Sequence, residues 1–321
     1  MEVIKRLRIY FKEMYPIIPR LCLGYIVFLE IYFMVLLNHG VSGRRLLEFS
    51  RIEGQSDFIS YFKQHDVCGI LIGGFTVFSF LLWLRIADDF KDYELDCRLF
   101  ATRPLPSGRV HKKDLRIFAA ILIGVTVLIN ILFMRNFIFC LILYTYGSLM
   151  AVWFFQKHKI AKSLPLALVT HNPVQIILNI YVISYAIMKY KLPVFDITNL
   201  MAVMTLYFPA LIWEISRKIR APKQETEYVT YSRLFGYKKC IDFVFLLTWL
   251  DIFTNIVLVW NLNKISVAAL LLNTLWCSVK FIEYKKDPTK YRIVDKVERY
   301  TYIQECMMIA TIVIYLIFGK I

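Results

Sequence analysis

Residues 69–108 read "GILIGGFTVFSFLLWLRIADDFKDYELDCRLFATRPLPSG". An apolar run of bilayer length passes straight into a carboxylate-rich segment and closes on Arg-Pro-Leu-Pro-Ser-Gly. Apolar runs of about 20 residues, the length that crosses a bilayer, recur along the whole chain. They predict spans near 18–38, 68–87, 115–134, 136–155, 164–188, 194–214, 240–260, 264–282 and 300–319. The fold class expected is therefore an all-α membrane protein of nine transmembrane helices. A chain that is 58% hydrophobic, with mean hydropathy +0.55, leaves no stretch for a separate soluble domain. One domain over residues 1–321 is the expectation.

The net charge of +15 raises the question of nucleic acid, and its distribution answers it. With the N-terminus inside, most of the 39 Lys and Arg fall in the inner segments, around 5–20, 85–116, 157–162, 217–239 and 280–299. Four lie in the outer 39–67 loop. The positive-inside rule then predicts N-in, C-out, and the basicity is topological, with no nucleic-acid partner. The first span lacks a small-residue cleavage site and reads as a retained helix. The preceding "VIKRLRIYFKEMY" suits either a helix lying along the inner interface or a simple topology anchor. Seven scattered cysteines at 22, 68, 97, 140, 240, 277 and 306 give neither a disulfide framework nor a zinc site. There is no Gly-rich phosphate loop and no G-x-S-x-G.

Two inner loops depart from this pattern. After span two, Asp88, Asp92 and Asp96 stand at i, i+4 and i+8, which puts all three on one face of a continued helix. Three such carboxylates repel one another, and a divalent cation resolves the repulsion. Mg²⁺ suits carboxylate oxygens and commonly bridges to phosphate. Asp89 and Glu94 point away and are expected to be solvated; a solvated acidic loop is the plain alternative for the whole segment. Lys91, Arg98, Arg103 and Arg109 supply cations, Arg being suited to bidentate phosphate recognition. Pro and Ser-Gly rigidify and turn the backbone. After span six, "WEISRKIRAPKQETEYVTYSRLFG" (213–236) carries Glu214, Arg217, Lys218, Arg220, Glu225 and Glu227. On the same predicted side, the two loops suit a polyanion closed over from both.

These residues resemble the UbiA superfamily of intramembrane prenyltransferases. Its first motif, N/D-x-x-x-D-x-x-x-D followed seven residues on by Arg-Pro-Leu/Ile-Pro-Ser-Gly, is matched by Asp88, Asp92 and Asp96 and by Arg103 opening "RPLPSG". The resemblance implies nine helices around a central cavity, motif loops after helices two and six, and Mg²⁺ bridging the aspartates to an isoprenyl diphosphate. Departure of the diphosphate gives an allylic cation that a lipophilic or aromatic acceptor attacks. The second motif departs from the family pattern: Glu214 stands at its start, Lys218 where a carboxylate is usual, and Glu225 near a later acidic position. The resemblance thus implies catalytic roles for Asp88, Asp92, Asp96, Glu214 and Lys218. It implies metal ligation by the three aspartates with Glu214 and Glu225, and diphosphate binding by Lys91, Arg98, Arg103, Arg217, Lys218 and Arg220.

Within the spans, His171, Gln175 and Asn179 form one stripe, Asn172-Pro173 offers a kink, and Asp251 and Asn255 share a face. With Tyr144 they suit an acceptor pocket, or else interhelical hydrogen bonds. The expected function is Mg²⁺-dependent prenyl transfer by a multi-pass protein of the cell membrane. The alternatives are an intramembrane terpene cyclase acting without acceptor, and a polyprenyl-phosphate binding or transport protein. A CDP-alcohol phosphotransferase is disfavoured, since D-x-x-D-G-x-x-A-R is absent.

Overall fold

The computed structural model describes residues 2–41, 66–225 and 229–319. Glu227 and the four basic residues of the 39–67 loop lie outside these. Among the described residues all regular structure is helical. Eight helical stretches are long and apolar enough to cross a membrane: Ile17–Asn38, Val67–Lys91, Lys112–Met134, Leu164–Tyr190, Ile197–Ser216, Tyr237–Val259, Lys264–Lys286 and Ile293–Phe318. The chain is a multi-pass integral membrane protein. The fourth predicted span is shorter than expected, an apolar helix over Phe137–Ala151. It stops because Trp153, Phe154 and Phe155 all take left-handed backbone (φ 54, 49 and 57). That conformation is costly for L-residues with bulky side chains.

The chain divides into two compact units. The first comprises 1–29, 48–158 and 180–185. It holds α1 (Glu2–Glu13), the start of α2 (Ile17–Asn38), α3 (Val67–Lys91), α4 (Tyr93–Leu99), α5 (Lys112–Ile129) with a π-helical turn at Asn130–Met134, and α6 (Phe137–Ala151). α3 packs on α5 and α6. Its core gathers Tyr10, Tyr15, Phe78, Leu82, Ile86, Leu105, Val110, Leu115 and Ala119. This cluster includes Leu105 and Val110 from the Pro-rich loop, so the loop is pinned to the helices by its own apolar residues.

α2 packs tightly on α3 at Gly24. A Cβ there would stand 2.7 Å from the Phe78 amide nitrogen and 2.8 Å from its Cα, which are backbone atoms that cannot swing aside. Gly24→Ala is expected to destabilise the protein by about 1–3 kcal/mol through overpacking, read as a lower unfolding temperature in detergent.

The second unit comprises 30–47, 159–179 and 186–321. It holds α7 (Lys157–Ile160), α8 (Leu164–His171), most of α9 (Val174–Tyr190), α10 (Ile197–Met204), α11 (Tyr207–Ser216), α12 (Tyr231–Phe235), α13 (Tyr237–Val259), α14 (Lys264–Lys286) and α15 (Ile293–Phe318). α13 packs on α10, α11 and α14, and α14 packs on α15. The fifth and sixth spans are each broken. Pro173 cannot donate to the helix ladder and separates α8 from α9. Leu206 takes a left-handed φ of 49° and separates α10 from α11. The carbonyls freed at the second break are not abandoned: Asn179 Nδ2 donates to Val203 O (2.8 Å) and Thr205 O (2.9 Å).

Candidate functional site

The carboxylate loop of the first unit begins inside α3. The helical hydrogen bonds run through the aspartates themselves, from the Asp92, Asp96 and Phe100 amides to the Asp88, Asp92 and Asp96 carbonyls at 2.8–2.9 Å. The register therefore continues, but the helix bends at Asp92 (φ −98°, ψ 7°), where α3 ends and α4 begins. The three aspartates do not stay equivalent. Asp88 and Asp92 are exposed, and no hydrogen bond or ion pair among the described residues engages either carboxylate. Asp96 is buried, and Arg103 Nη1 donates to both its oxygens at 2.9 Å. The protein around Asp92 strips solvation from its charged form and raises its pKa; Lys91 opposes this and Asp96 adds to it.

Arg103 thus ties α4 to the start of "RPLPSG", and it also lies 3.9 Å from the Phe100 ring centroid. The loop then folds on itself. Ser107 N donates to Arg103 O (3.0 Å) and Val110 N to Pro104 O (3.0 Å). Gly108 takes the positive φ (74°) that the turn requires. Lys91 Nζ sits 3.9 Å from the Trp153 ring centroid, and Arg98 is exposed, with only a 3.4 Å contact to Glu94 O.

Asp89 is corrected by the structure. It is not solvated but 4% exposed, accepting from Tyr10 OH (2.6 Å) and Arg85 Nη2 (2.7 Å). Tyr10 belongs to α1, and α1 grips the loop region at three places. Arg6 is bidentate on Asp114 (2.5 and 3.3 Å), Tyr10 holds Asp89, and Glu13 receives Arg109 through two bonds (2.5 and 2.8 Å). Arg109 is thereby committed to Glu13 and to Thr102 O (2.6 Å). Burial, with Asp89 close by, holds the Tyr10 phenol well above its ordinary pKa, so it stays a donor. The Arg109 bond holds Glu13 below the usual carboxylate range. This contact therefore persists above the ordinary Glu pKa and is lost only as pH falls through the depressed value. Tyr10→Phe is expected to cost about 1.5–3 kcal/mol, the scale of a hydrogen bond to a buried charged group, measured by thermal unfolding.

In the second unit, Glu214 at the end of α11 pairs with Arg217 (2.6 Å) and Lys218 (2.9 Å). Glu225 has different company. Its oxygens accept from Thr230 and Ser232 hydroxyls (2.7 and 2.5 Å). "TYSRLF" folds back on the preceding turn through Tyr231 N to Lys218 O (3.0 Å) and Arg220 N to Ser232 Oγ (2.8 Å). Burial pushes the Tyr231 phenol up to about 12. No bond joins Glu214 to Glu225.

The interior polar residues mostly bond to one another. His171 closes α8, its Nδ1 2.9 Å from Thr170 Oγ1, so it is off the α9 stripe of Gln175 and Asn179. Gln175 Nε2 donates to Asn179 Oδ1 (3.0 Å), and Asn172 Nδ2 is buried without a partner. Asn255 links Thr205 (3.0 Å) to Asp251 (3.0 Å). Tyr144 belongs to the first unit, its hydroxyl 2.7 Å from Ser79 Oγ. Of these bonds, Thr205–Asn255 and Ser79–Tyr144 tie different elements together, whereas Thr170–His171, Gln175–Asn179 and Asn255–Asp251 lie within single helices.

No protein-family model and no curated protein matches the chain. Among solved structures, a digeranylgeranylglyceryl phosphate synthase in membranes is similar over 96% of this chain and 98% of its own, at 18% identity and a TM-score of 0.55. The chain shares the fold of this synthase. At that identity the likeness is one of architecture, and the site rests on its own residues.

Within this fold the donor set can be tested against Mg²⁺. No three Asp, Glu, His or Cys side chains among the described residues stand ready to hold one ion. Asp88 and Asp92 nonetheless fit one: two hard-oxygen carboxylates, one turn apart and without an ion pair among the described residues, where water and phosphate would complete the shell that Mg²⁺ prefers. Asp96 is engaged by Arg103. Glu214 and Glu225 do not fit a second ion, since one is already neutralised by cations and the other is saturated by hydroxyls. Tyr10, Arg6, Glu13, Asp89 and Asp114 escaped sequence reasoning, because their pairings span 79–108 residues. The only signal was the basic-apolar mixture of α1.

Proposed function

We propose that this protein is a membrane-embedded prenyltransferase that moves an isoprenyl group from a prenyl diphosphate to a small lipophilic or aromatic acceptor. The carrying observation is the exposed, unpaired pair Asp88 and Asp92 on a loop anchored by Arg103 and α1, within a UbiA-type fold. In this account Asp88 and Asp92 hold Mg²⁺, which when bound neutralises charge growing on the departing diphosphate. Asp96 holds Arg103 and so fixes the loop. Lys91 and Arg98 face the phosphate oxygens. Arg217, Lys218 and Arg220 of the second loop are assigned phosphate recognition on their chemistry alone, with Glu214 keeping Arg217 and Lys218 in place.

The C–O bond to diphosphate breaks, the acceptor attacks the allylic carbon, and the acceptor's proton leaves. A membrane interior keeps the cation from bulk water. The account takes nine crossings with Phe137–Ala151 as the fourth, one functional domain over the chain, both loops and the N-terminus on the cytoplasmic side, and the cell membrane as the location. Its test is product analysis by mass spectrometry. The purified protein in nanodiscs is given farnesyl, geranylgeranyl and longer prenyl diphosphates, with and without quinone-precursor and glyceryl-phosphate acceptors. Prenylated acceptor is the expected product. A prenyl hydrocarbon or alcohol formed equally well without acceptor would reject transfer in favour of cyclisation or hydrolysis.

A further inference from the structure

A cavity of about 370 Å³ opens in the second unit where α8, α11, α12 and the start of α13 meet. Its walls are apolar: Leu168 and Val169 of α8, Ile215 of α11, Phe235 of α12 and Phe243 of α13. Val169, Phe235 and Phe243 are also exposed, so the cavity is a groove open along one side. α8, α11 and α13 belong to stretches long and apolar enough to cross a membrane. An open apolar face on such helices has hydrocarbon as its solvent.

One lining residue is charged. Lys239, in the first turn of α13, is exposed, and no hydrogen bond or ion pair among the described residues engages its ammonium. Lys238 beside it is exposed too, and Asp242, one turn on, is taken by Lys285 at 2.6 Å. At the end of a spanning helix a lysine lays its stem along apolar surface and raises its ammonium to the headgroups. The groove therefore offers an apolar slot with an unneutralised cation at its rim, which suits a lipid whose headgroup carries a phosphate. A prenyl diphosphate has the same layout but more charge, and calls for a metal or several converging cations. No carboxylate lines the groove to hold a metal, whereas one lysine matches the single charge of a phosphodiester.

We propose that this groove binds an anionic phospholipid of the surrounding bilayer, with one acyl chain against Val169, Phe235 and Phe243 and the phosphate on Lys239. The site also reaches the second loop. Tyr231, buried in the groove wall, donates its amide to Lys218 O (3.0 Å), and Ser232 Oγ accepts from the Arg220 amide (2.8 Å). A lipid braced against α12 thus steadies the loop that carries Lys218 and Arg220. That consequence rests on the prenyltransferase reading, whereas the binding does not.

The test is photo-crosslinking of the full chain in phosphatidylcholine nanodiscs. These carry a trace of phosphatidylglycerol with a diazirine on one acyl chain, and peptide mass spectrometry maps the label. Label is expected to concentrate on α8, α12 and the start of α13, and a phosphatidylcholine probe with the same chain should label them less. Lys239→Gln should lower phosphatidylglycerol labelling of these segments about fivefold, the scale of one lysine's attraction to an anionic lipid surface, and leave the other helices unchanged. Val169→Trp fills the groove and should remove the label there for either probe. Both positions are exposed, and an unfolding temperature near that of the wild type checks that the variants fold. Label spread evenly over the spanning helices, or equal labelling by the two probes, would overturn the proposal. So would displacement of the label by geranylgeranyl diphosphate with Mg²⁺, which would make the groove a site for the prenyl donor. None of these readings requires turnover, so they are independent of whether the protein transfers prenyl groups.

Discussion

Asp92→Asn is expected to lower diphosphate release by about 10²–10³-fold, the scale seen when one charge-stabilising group is removed from a transition state. The three aspartates divide their labour. Asp96 is occupied by Arg103, whereas no hydrogen bond or ion pair among the described residues engages the Asp92 carboxylate. Asparagine keeps the side chain's size and the bend at residue 92 but removes the charge that holds a cation. Folding should survive, because an exposed, unpaired carboxylate contributes little to stability. Unfolding temperature should stay near that of the wild type while turnover falls. Asp88→Asn should behave alike. The raised pKa of Asp92 adds a direction in pH. Cation binding needs the ionised form, so the Mg²⁺ concentration for half-maximal rate should climb on acidification from a higher pH than an ordinary aspartate would give. A Mg²⁺ titration at several pH values, with the donor's own ionisation measured alongside, reads this out.

Arg103→Ala should act differently. Asp96 is 7% exposed, and losing the one cation that pairs with it among the described residues leaves a carboxylate stranded against protein. Breaking a buried pair from one side costs about 3–5 kcal/mol. With the Arg103 side chain 35% exposed, water can partly replace it, and about 1–3 kcal/mol is the expected loss. The Pro104–Val110 turn should loosen with it, so both unfolding temperature and turnover should fall. Arg103→Gln combined with Asp96→Asn should recover most of the stability lost in Arg103→Gln alone, because the pair is then removed together. Direct diphosphate binding by Arg103 predicts the reverse pattern: a raised KM for the prenyl donor, an unchanged unfolding temperature, and no recovery in the double variant.

Much of this was legible in the sequence, for definite reasons. Bilayer-length apolar runs are strong signals because lipid forces backbone groups to pair within one helix, and eight of the nine expected spans appear as long apolar helices. The fourth fell short because its end is set by a left-handed Trp-Phe-Phe turn, which hydropathy does not register. The break at Leu206 was equally silent. The i, i+4, i+8 spacing located the aspartates but could not rank them. Ranking needs partners, and Asp96 meets Arg103, while Asp89 is enclosed by a tyrosine 79 residues away. Glu225 could be placed near an acidic position, but its hydroxyl cradle depends on how "TYSRLF" folds back.

The most direct measurement is diphosphate release from geranylgeranyl diphosphate by the purified protein in nanodiscs, with acceptors supplied, in Mg²⁺ and in EDTA. The account predicts catalytic release in Mg²⁺, none in EDTA, and loss of release when Asp88 and Asp92 are both asparagine. Release unchanged by EDTA or by that double substitution would contradict the assignment of the two aspartates. No release with any donor and acceptor would contradict the enzyme itself.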